Sequence, residues 1–348
     1  MATVTTNNQY YTDIANAIRG KNGTETQYKP SEMAAAIQAI SGGGEPEPPD
    51  DGKTRLYITV PANAMEGLPP PRNQVPLYIQ QTVANGVTID WGDGTAPETL
   101  PGTGNVNTTH TYEQAGDYII SLDPVEGCEL GFGTNSSFYC VMGIADTENQ
   151  AYCNMLKKVI VGNNVTDIGN YAFEYCSNLS KFISNSAISI GDYAFRYCYN
   201  LSSFISVGGV TKIGKETFYS CYNLLNFSLD SASSIGKAAF RYCYSLSSVV
   251  VKNKISTLED YTFAYCCGLL NVIIPNNIDS IGTNVFYNCY NVKEYHFLSP
   301  TPPALGNTGV FSGIPPDCII YVPVGSLQAY QTATNWATYA DQMQEEPV

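Results

Sequence analysis

Ile190-Gly-Asp-Tyr-Ala-Phe-Arg-Tyr-Cys-Tyr-Asn-Leu201 is followed by Ile213-Gly-Lys-Glu-Thr-Phe-Tyr-Ser-Cys-Tyr-Asn-Leu224 and then by Ile235-Gly-Lys-Ala-Ala-Phe-Arg-Tyr-Cys-Tyr-Ser-Leu246. The same frame continues to both sides. Its aromatic position holds Phe173, Phe195, Phe218, Phe240, Phe263 and Phe286, and three residues on stand Cys176, Cys198, Cys221, Cys243, Cys266 and Cys289. Three further on come Leu179, Leu201, Leu224, Leu246, Leu269 and Val292, while the Ile-Gly pair is replaced once, by Leu258-Glu259. Successive cysteines are 22, 23, 22, 23 and 23 residues apart. A fixed period with every apolar position in phase marks a repeat architecture, each unit one supersecondary element. One such unit has too little apolar surface to offset the entropy of ordering it, whereas stacked units share a core with two neighbours. The expected fold is a solenoid of about six repeats of 22–23 residues, its parallel sheet climbing ~4.8 Å per turn. Cys153, one period upstream and followed by Leu156, opens the array as a half repeat serving as N-terminal cap.

The segment after each Leu reads as the strand. A period of two then turns Lys181, Ser203, Asn226, Ser248, Asn271 and Glu294 outward, with Ile183, Ile205, Ser228, Val250, Ile273 and His296 beside them. One cysteine per turn at constant phase suits a small buried hydrophobe in a ladder. Parallel Cβ vectors along such a row oppose disulfides, and a linear row without any Cys-x-x-Cys pair opposes tetrahedral metal ligation, so no metal and no cofactor are expected. Tyrosines crowd the cysteines: Tyr175, Tyr197, Tyr242 and Tyr265 just before, Tyr199, Tyr222, Tyr244 and Tyr290 just after. Tyr set among Ser, Asn and Gly is the composition of adaptable binding surfaces, which makes Tyr197, Tyr199, Tyr222, Tyr242, Tyr244, Tyr265 and Tyr290 candidate ligand contacts. Stacked rings that merely cover and stiffen the solenoid account for the same residues equally well.

The unit Ile-Gly-x-x-Ala-Phe-x-x-Cys-x-x-Leu resembles the bacterial surface-antigen, or BspA-like, leucine-rich repeats. Residues 153 to about 298 carry it, and Phe311 to Tyr339, with Ile320-Tyr-Val-Pro and Asn335-Trp336, is similar to the cap that closes such arrays. The resemblance implies a binding protein, whose ligand it does not name.

Upstream, Asn8 to Gly20 places Ile14, Ala17 and Ile18 on one helical face, and Pro30-Ser31-Glu32 opens a second helix carrying Met33, Ile37 and Ile40. Tyr11 to Gly23 and Lys29 to Ile40 resemble a segment of phage and prophage tail proteins from gut Firmicutes. A hairpin this short would dock on a tail or on another copy of itself. From Thr54 the chain alternates apolar and polar residues between Pro- and Gly-rich turns, as a small β-sandwich does. Val87-Thr-Ile-Asp-Trp-Gly-Asp-Gly-Thr95, His110-Thr-Tyr112 and Gly116-Asp-Tyr118 within it resemble a PKD domain, a spacer or binding module. Asp90 and Asp93 suit a tight turn better than a calcium site.

The sequence therefore predicts a multidomain, mainly β chain: a helical hairpin over 1–41, a Gly/Pro linker over 42–53, a PKD-like β-sandwich over 54–125, a leucine-rich-repeat solenoid over 126–298 and a C-terminal cap over 299–348. Seventeen Lys and Arg against 31 Asp and Glu, a formal charge of −14, disfavour nucleic acid and anionic membrane as partners. No run approaches a membrane span, and the first ten residues lack a basic, then apolar, export signal. The two histidines, His110 and His296, fall in different modules, and no catalytic motif accompanies them. These features point away from an enzyme and toward a receptor-binding protein of a phage or prophage tail that recognises a cell-surface protein or glycan. The alternative is a bacterial surface or secreted adhesin directed at host matrix or cells.

Overall fold

A computed structural model describes residues 51–62, 73–133, 139–144, 150–186, 188–251 and 254–347, so the helical hairpin and the linker up to residue 50 lie outside the described residues. Asp51–Val348 forms one compact unit.

In the strands Thr54–Val60 and Gln74–Gln81, buried and half-exposed residues alternate, the pattern of a sheet with one face in a core. Thr54–Val60 pairs antiparallel with Gly116–Pro124, which also borders Val87–Asp90; Gln74–Gln81 pairs with Gly104–Thr111 and with Leu130–Gly131 in a second sheet. Between the two sheets lie Trp91 and Tyr112, and the Tyr112 hydroxyl donates to the Trp91 carbonyl at 2.9 Å. The expected β-sandwich is present.

It is not a separate module. The free edge of Thr54–Val60 pairs antiparallel with Leu156–Val161, which pairs parallel with Lys181–Ser184 and, through it, with Ser203–Ser206. Sandwich and array thus share one seven-stranded sheet. A second link forms where Phe132, just past Leu130–Gly131, bridges Ile168 of the first full repeat. Strand pairing thus runs across the boundary expected at 125/126: unpaired backbone at the first turn would have to be satisfied elsewhere, and the sandwich supplies the partner strands.

Along the array, Ile168, Ile190, Ile213, Ile235, Leu258, Ile281 and Leu305 are buried in a row. The glycines behind them are required by close approach, for a Cβ on Gly214 would lie 2.5 Å from the Asp192 nitrogen and one on Gly236 2.5 Å from the Gly214 carbonyl carbon. Each such amide donates one turn back, Gly191 to Ile168, Gly214 to Ile190, Gly236 to Ile213, Gly282 to Leu258 and Gly306 to Ile281. Glu259 holds the one non-glycine position in this row. Among the described residues no bond joins its amide to Ile235, and the sheet is divided there into a four-stranded and a three-stranded part.

Behind this row, Phe173, Phe195, Phe218, Phe240, Phe263, Phe286 and Phe311 stack with centroids 5.1 to 5.9 Å apart. Phe132 of the sandwich begins the stack, 5.5 Å from Phe173. The strands after each Leu occur as expected except at 226–229, where the repeat forms no ladder and the sheet resumes at Ser248–Val250. Of the residues expected to face outward, Asn226, Ser228, Ser248, Asn271 and Ile273 are exposed, whereas Ile183 is buried in the continuous sheet between Ile160 and Ile205. Leu305-Gly306 and Phe311 continue both rows past residue 298. Trp336 then closes the end, its indole N–H donating to the Pro303 carbonyl at 2.8 Å.

Candidate functional site

Two left-handed backbone positions per repeat shape the side chains around the cysteines. Tyr171 and Tyr175, Tyr193 and Tyr197, Glu216 and Ser220, Tyr261 and Tyr265, and Asn284 and Asn288 all have φ between 49° and 64°. Ala238 and Tyr242, at 55° and 65°, complete the set. Non-glycine residues adopt this region at a cost of roughly 1–2 kcal/mol each, so tertiary packing sustains it. The kinked turn splays the neighbouring side chains to the surface while Phe and Cys point inward.

The tyrosines then assemble into rows. Tyr175 stacks on Tyr197 and Tyr242 on Tyr265, with centroids 4.8 and 4.6 Å apart. At the rungs where Ser220 and Asn288 replace that tyrosine, Tyr219 and Tyr287 from the preceding position fill the gap edge-on, so the row runs unbroken from Tyr175 to Tyr287. A second, more exposed row stacks Tyr199, Tyr222 and Tyr244 at 5.0 Å spacings, and its next rung holds Cys267 where its neighbours have rings. Among the described residues no ring stacks on Tyr244 from this rung. Cys267 Sγ turns back toward the carbonyls of Tyr265 and Asn288, 3.4 and 3.6 Å away, and Tyr290 stands on the far side without a ring contact among the described residues. Tyr222, Tyr244 and Tyr290 are 37%, 43% and 51% exposed, against half-burial of Tyr197, Tyr199, Tyr242 and Tyr265. Six of the seven candidates are therefore brought together, and Tyr290 stands apart.

Tyr171, Tyr193, Tyr219, Tyr261 and Tyr287 belong to the same surface and were not singled out by sequence; the signal for Tyr171, Tyr193 and Tyr261 was the recurrence of tyrosine four residues before the Cys-preceding one, and for Tyr219 and Tyr287 a tyrosine directly before Ser220 and Asn288. Arg196 and Arg241 also lie in it. Arg196 pairs with Glu174 at 2.6 Å and packs over Tyr193 and Tyr197, whereas Arg241 lies over Tyr219, Tyr242, Tyr261 and Tyr265 with no carboxylate partner among the described residues. Burial pushes Glu174 up to about 7, against the pull of Arg196.

The ladder cysteines have a role beyond filling space. Cys198, Cys221, Cys243, Cys266 and Cys289 each donate to the carbonyl of the Phe one turn back, 3.1 to 3.3 Å away. Burial raises all five thiols. The expectation that the cysteines form only a linear row is corrected at its start: Cys140, from outside the repeats, meets Cys153 and Cys176 with all three Sγ within 4.8 Å of one another.

The two histidines lie in separate carboxylate settings. His110 stacks on Trp91 and meets Asp93 at 2.7 Å. Burial opposes charge on Asp93, but hydrogen bonds from Thr95 and His110 hold its carboxyl at about 2. Asp90 accepts from the Gly92 amide, so both acids serve the turn. His296 lies between Glu294 and Glu346 over the Tyr321 ring. An open groove of about 750 Å³, lined by Gln80, Asp167, Ser189, Asp192, Lys212 and Ser234 among others, runs where the sandwich overhangs the Ile-Gly row; none of the candidate tyrosines borders it.

Stacked turns with an internal Phe row and one strand per repeat define a leucine-rich-repeat solenoid. Residues 144–232 and 166–293 match the family model described as BspA type Leucine rich repeat region, in six copies. Among solved structures the chain is similar to a leucine-rich repeat protein of T. pallidum, with 24% identity, a TM-score of 0.41 and coverage of 46% of this chain and 79% of that one. It is similar also to a leucine-rich repeat protein from Bacteroides ovatus, with 23% identity, a TM-score of 0.35 and 61% of each chain covered. A third is a leucine rich cell surface protein from Faecalibacterium prausnitzii, with 18% identity, a TM-score of 0.22 and coverage of 57% and 82%. No curated protein matches the chain.

Proposed function

We propose that the protein is a non-catalytic adhesion protein acting at a bacterial cell surface, and that the tyrosine rows of its repeat array contact a ligand on host matrix or host cells. The observation that carries this is the vacancy in the outer row. Wherever the inner row lacks a ring, a neighbouring tyrosine replaces it, whereas at Cys267 no ring among the described residues does, leaving Tyr244 and Tyr290 two rungs, roughly 10 Å, apart. Rings that only stiffened the solenoid would gain from a tyrosine at 267. A flat group from a partner inserted there would meet a ring on each side, at low entropic cost to the protein. The match to BspA-type repeats supports a binding role, and both histidines are engaged with carboxylates rather than with a nucleophile.

A second reading, a receptor-binding protein of a phage or prophage tail, rests on the resemblance carried by residues 11–40. The test is binding of the labelled full chain to matrix proteins and, in parallel, to intact gut Firmicutes cells. Matrix binding that Cys267→Tyr and Tyr222→Ala weaken at least tenfold, with melting unchanged, supports the adhesin; saturable binding to a subset of bacterial strains alone favours the tail protein. Phe218→Ala, which should cost about 3–5 kcal/mol of stability, is the folding control. Binding that survives both surface substitutions removes the tyrosine rows as the contact.

A further inference from the structure

Eight of the eleven cysteines donate a hydrogen bond to a backbone carbonyl: Cys128, Cys198, Cys221, Cys243, Cys266, Cys267, Cys289 and Cys318. The three without one among the described residues are Cys140, Cys153 and Cys176. They are fully buried, and their sulfurs converge to within 4.8 Å of one another. In the rest of the ladder each thiol faces a carbonyl of the turn below. At the first turn no such bond forms among the described residues, and the thiols face one another instead.

Convergence comes from three separate stretches of chain. Cys176 belongs to the first full repeat and Cys153 to the half repeat that precedes it. Cys140 lies in the hairpin Tyr139–Cys140 and Gly143–Ile144. This hairpin sits at the junction, the Val141 amide donating to Ala172 of the array at 2.8 Å and the Val141 carbonyl accepting from Tyr78 of the sandwich at 3.0 Å. The sulfurs are therefore held from both sides.

We propose that Cys140, Cys153 and Cys176 form a metal site for a thiophilic d10 ion, Zn2+ in the first instance, which fastens the hairpin to the first turn of the array. Three thiolates about 2.3 Å from one zinc lie roughly 3.8 Å from each other, so sulfurs already within 4.8 Å need only small inward rotations. Soft sulfur donors select such an ion over Mg2+ or Ca2+. Binding converts three thiols to thiolates and releases three protons to solvent, with no change of oxidation state. The fourth position of a tetrahedral ion is left to a solvent or a side-chain donor; Glu174, two residues before Cys176, is buried with Oε1 on Arg196 and Oε2 without a hydrogen-bond partner among the described residues. None of these residues belongs to the exposed tyrosine row.

The test uses the reduced full chain and Co2+ as a spectroscopic substitute for Zn2+. The expected result is a single bound Co2+ with thiolate charge-transfer and tetrahedral d–d bands, displaced by Zn2+, together with a melting temperature that a strong chelator lowers by several degrees. Cys140→Ser should abolish the bands and the chelator effect. Cys221→Ser, an equally buried ladder thiol that faces the Phe195 carbonyl, should preserve both and controls for folding. Absence of bound ion in the folded wild-type chain overturns the proposal, as does a disulfide between any two of the three found in the purified chain, or a Cys140→Ser chain that binds Co2+ as the wild type does.

Discussion

Ser220 separates two forces that usually act together. It is 3% exposed, which favours an apolar side chain, yet its φ of 61° lies in the left-handed region, which a β-branched residue adopts only under strain. If burial governs the position, Ser220→Val stabilises. If the backbone governs it, Ser220→Val costs on the order of 2–3 kcal/mol while Ser220→Gly stays within about 1 kcal/mol of wild type, the relief of left-handed strain offsetting the greater entropy of glycine in the unfolded chain. We expect the second pattern, read from urea midpoints at constant m-value. The inward residues of each turn were legible because Phe and Cys repeat without exception from Phe173 to Cys289 and Leu yields only once, to Val292. The left-handed positions were not: Tyr, Glu, Ser and Ala occupy them, and only Asn284 and Asn288 are residues whose chemistry announces such a backbone.

At the level of one ladder, Glu259 shows what the glycine does. The five amides that bond one turn back belong to glycines, whose Cβ-free backbone lets the turns close, and the sheet is divided at the single turn where a side chain intervenes. Glu259→Gly should let the turns approach and give residue 259 a bond to the Ile235 carbonyl. The amide at 259 then joins the slowly exchanging set in hydrogen-exchange measurements, slowing at least tenfold, while the amide of Gly236 is unaffected. An unchanged rate at 259 would assign the division to the chain between Val251 and Ser256 instead. The sequence marked this turn, since Leu258-Glu259 is its one departure from Ile-Gly. The other interruption, at 226–229, carries no such mark: Leu224, Phe227 and Leu229 keep the apolar spacing of their neighbours, and the loss of pairing arises between turns, beyond what a single repeat encodes. The sulfur cluster was hidden for the same reason, because Cys140 stands outside the period and the row alone offers no convergence.

The whole of Asp51–Val348 is joined by two devices, a sheet that passes from the sandwich into the array and a Phe stack that passes from Phe132 to Phe311. Sequence periodicity delimits the repeats well, but it is blind to an antiparallel pairing between Thr54–Val60 and Leu156–Val161, strands separated by some hundred residues. Arrays whose units contact only their neighbours lose cooperativity when one interface weakens, and the interruptions at 226–229 and 259 weaken hydrogen bonding in both sheets near mid-array. The Phe stack crosses that region at unchanged spacing, 5.3 Å from Phe218 to Phe240 and 5.5 Å from Phe240 to Phe263, so apolar contact continues where pairing stops. The chain's two tryptophans decide which effect prevails, since Trp91 is buried in the sandwich and Trp336 in the C-terminal cap. Trp336→Phe leaves a reporter at one end and Trp91→Phe a reporter at the other. If burial holds the array together, each fluorescence midpoint coincides with the midpoint of the sheet signal of the same variant, and Ile58→Pro, which breaks the shared sheet at the junction, lowers both reporters' midpoints together. Two midpoints within one variant would instead mean that hydrogen bonding sets the cooperative unit and that the array divides near its middle.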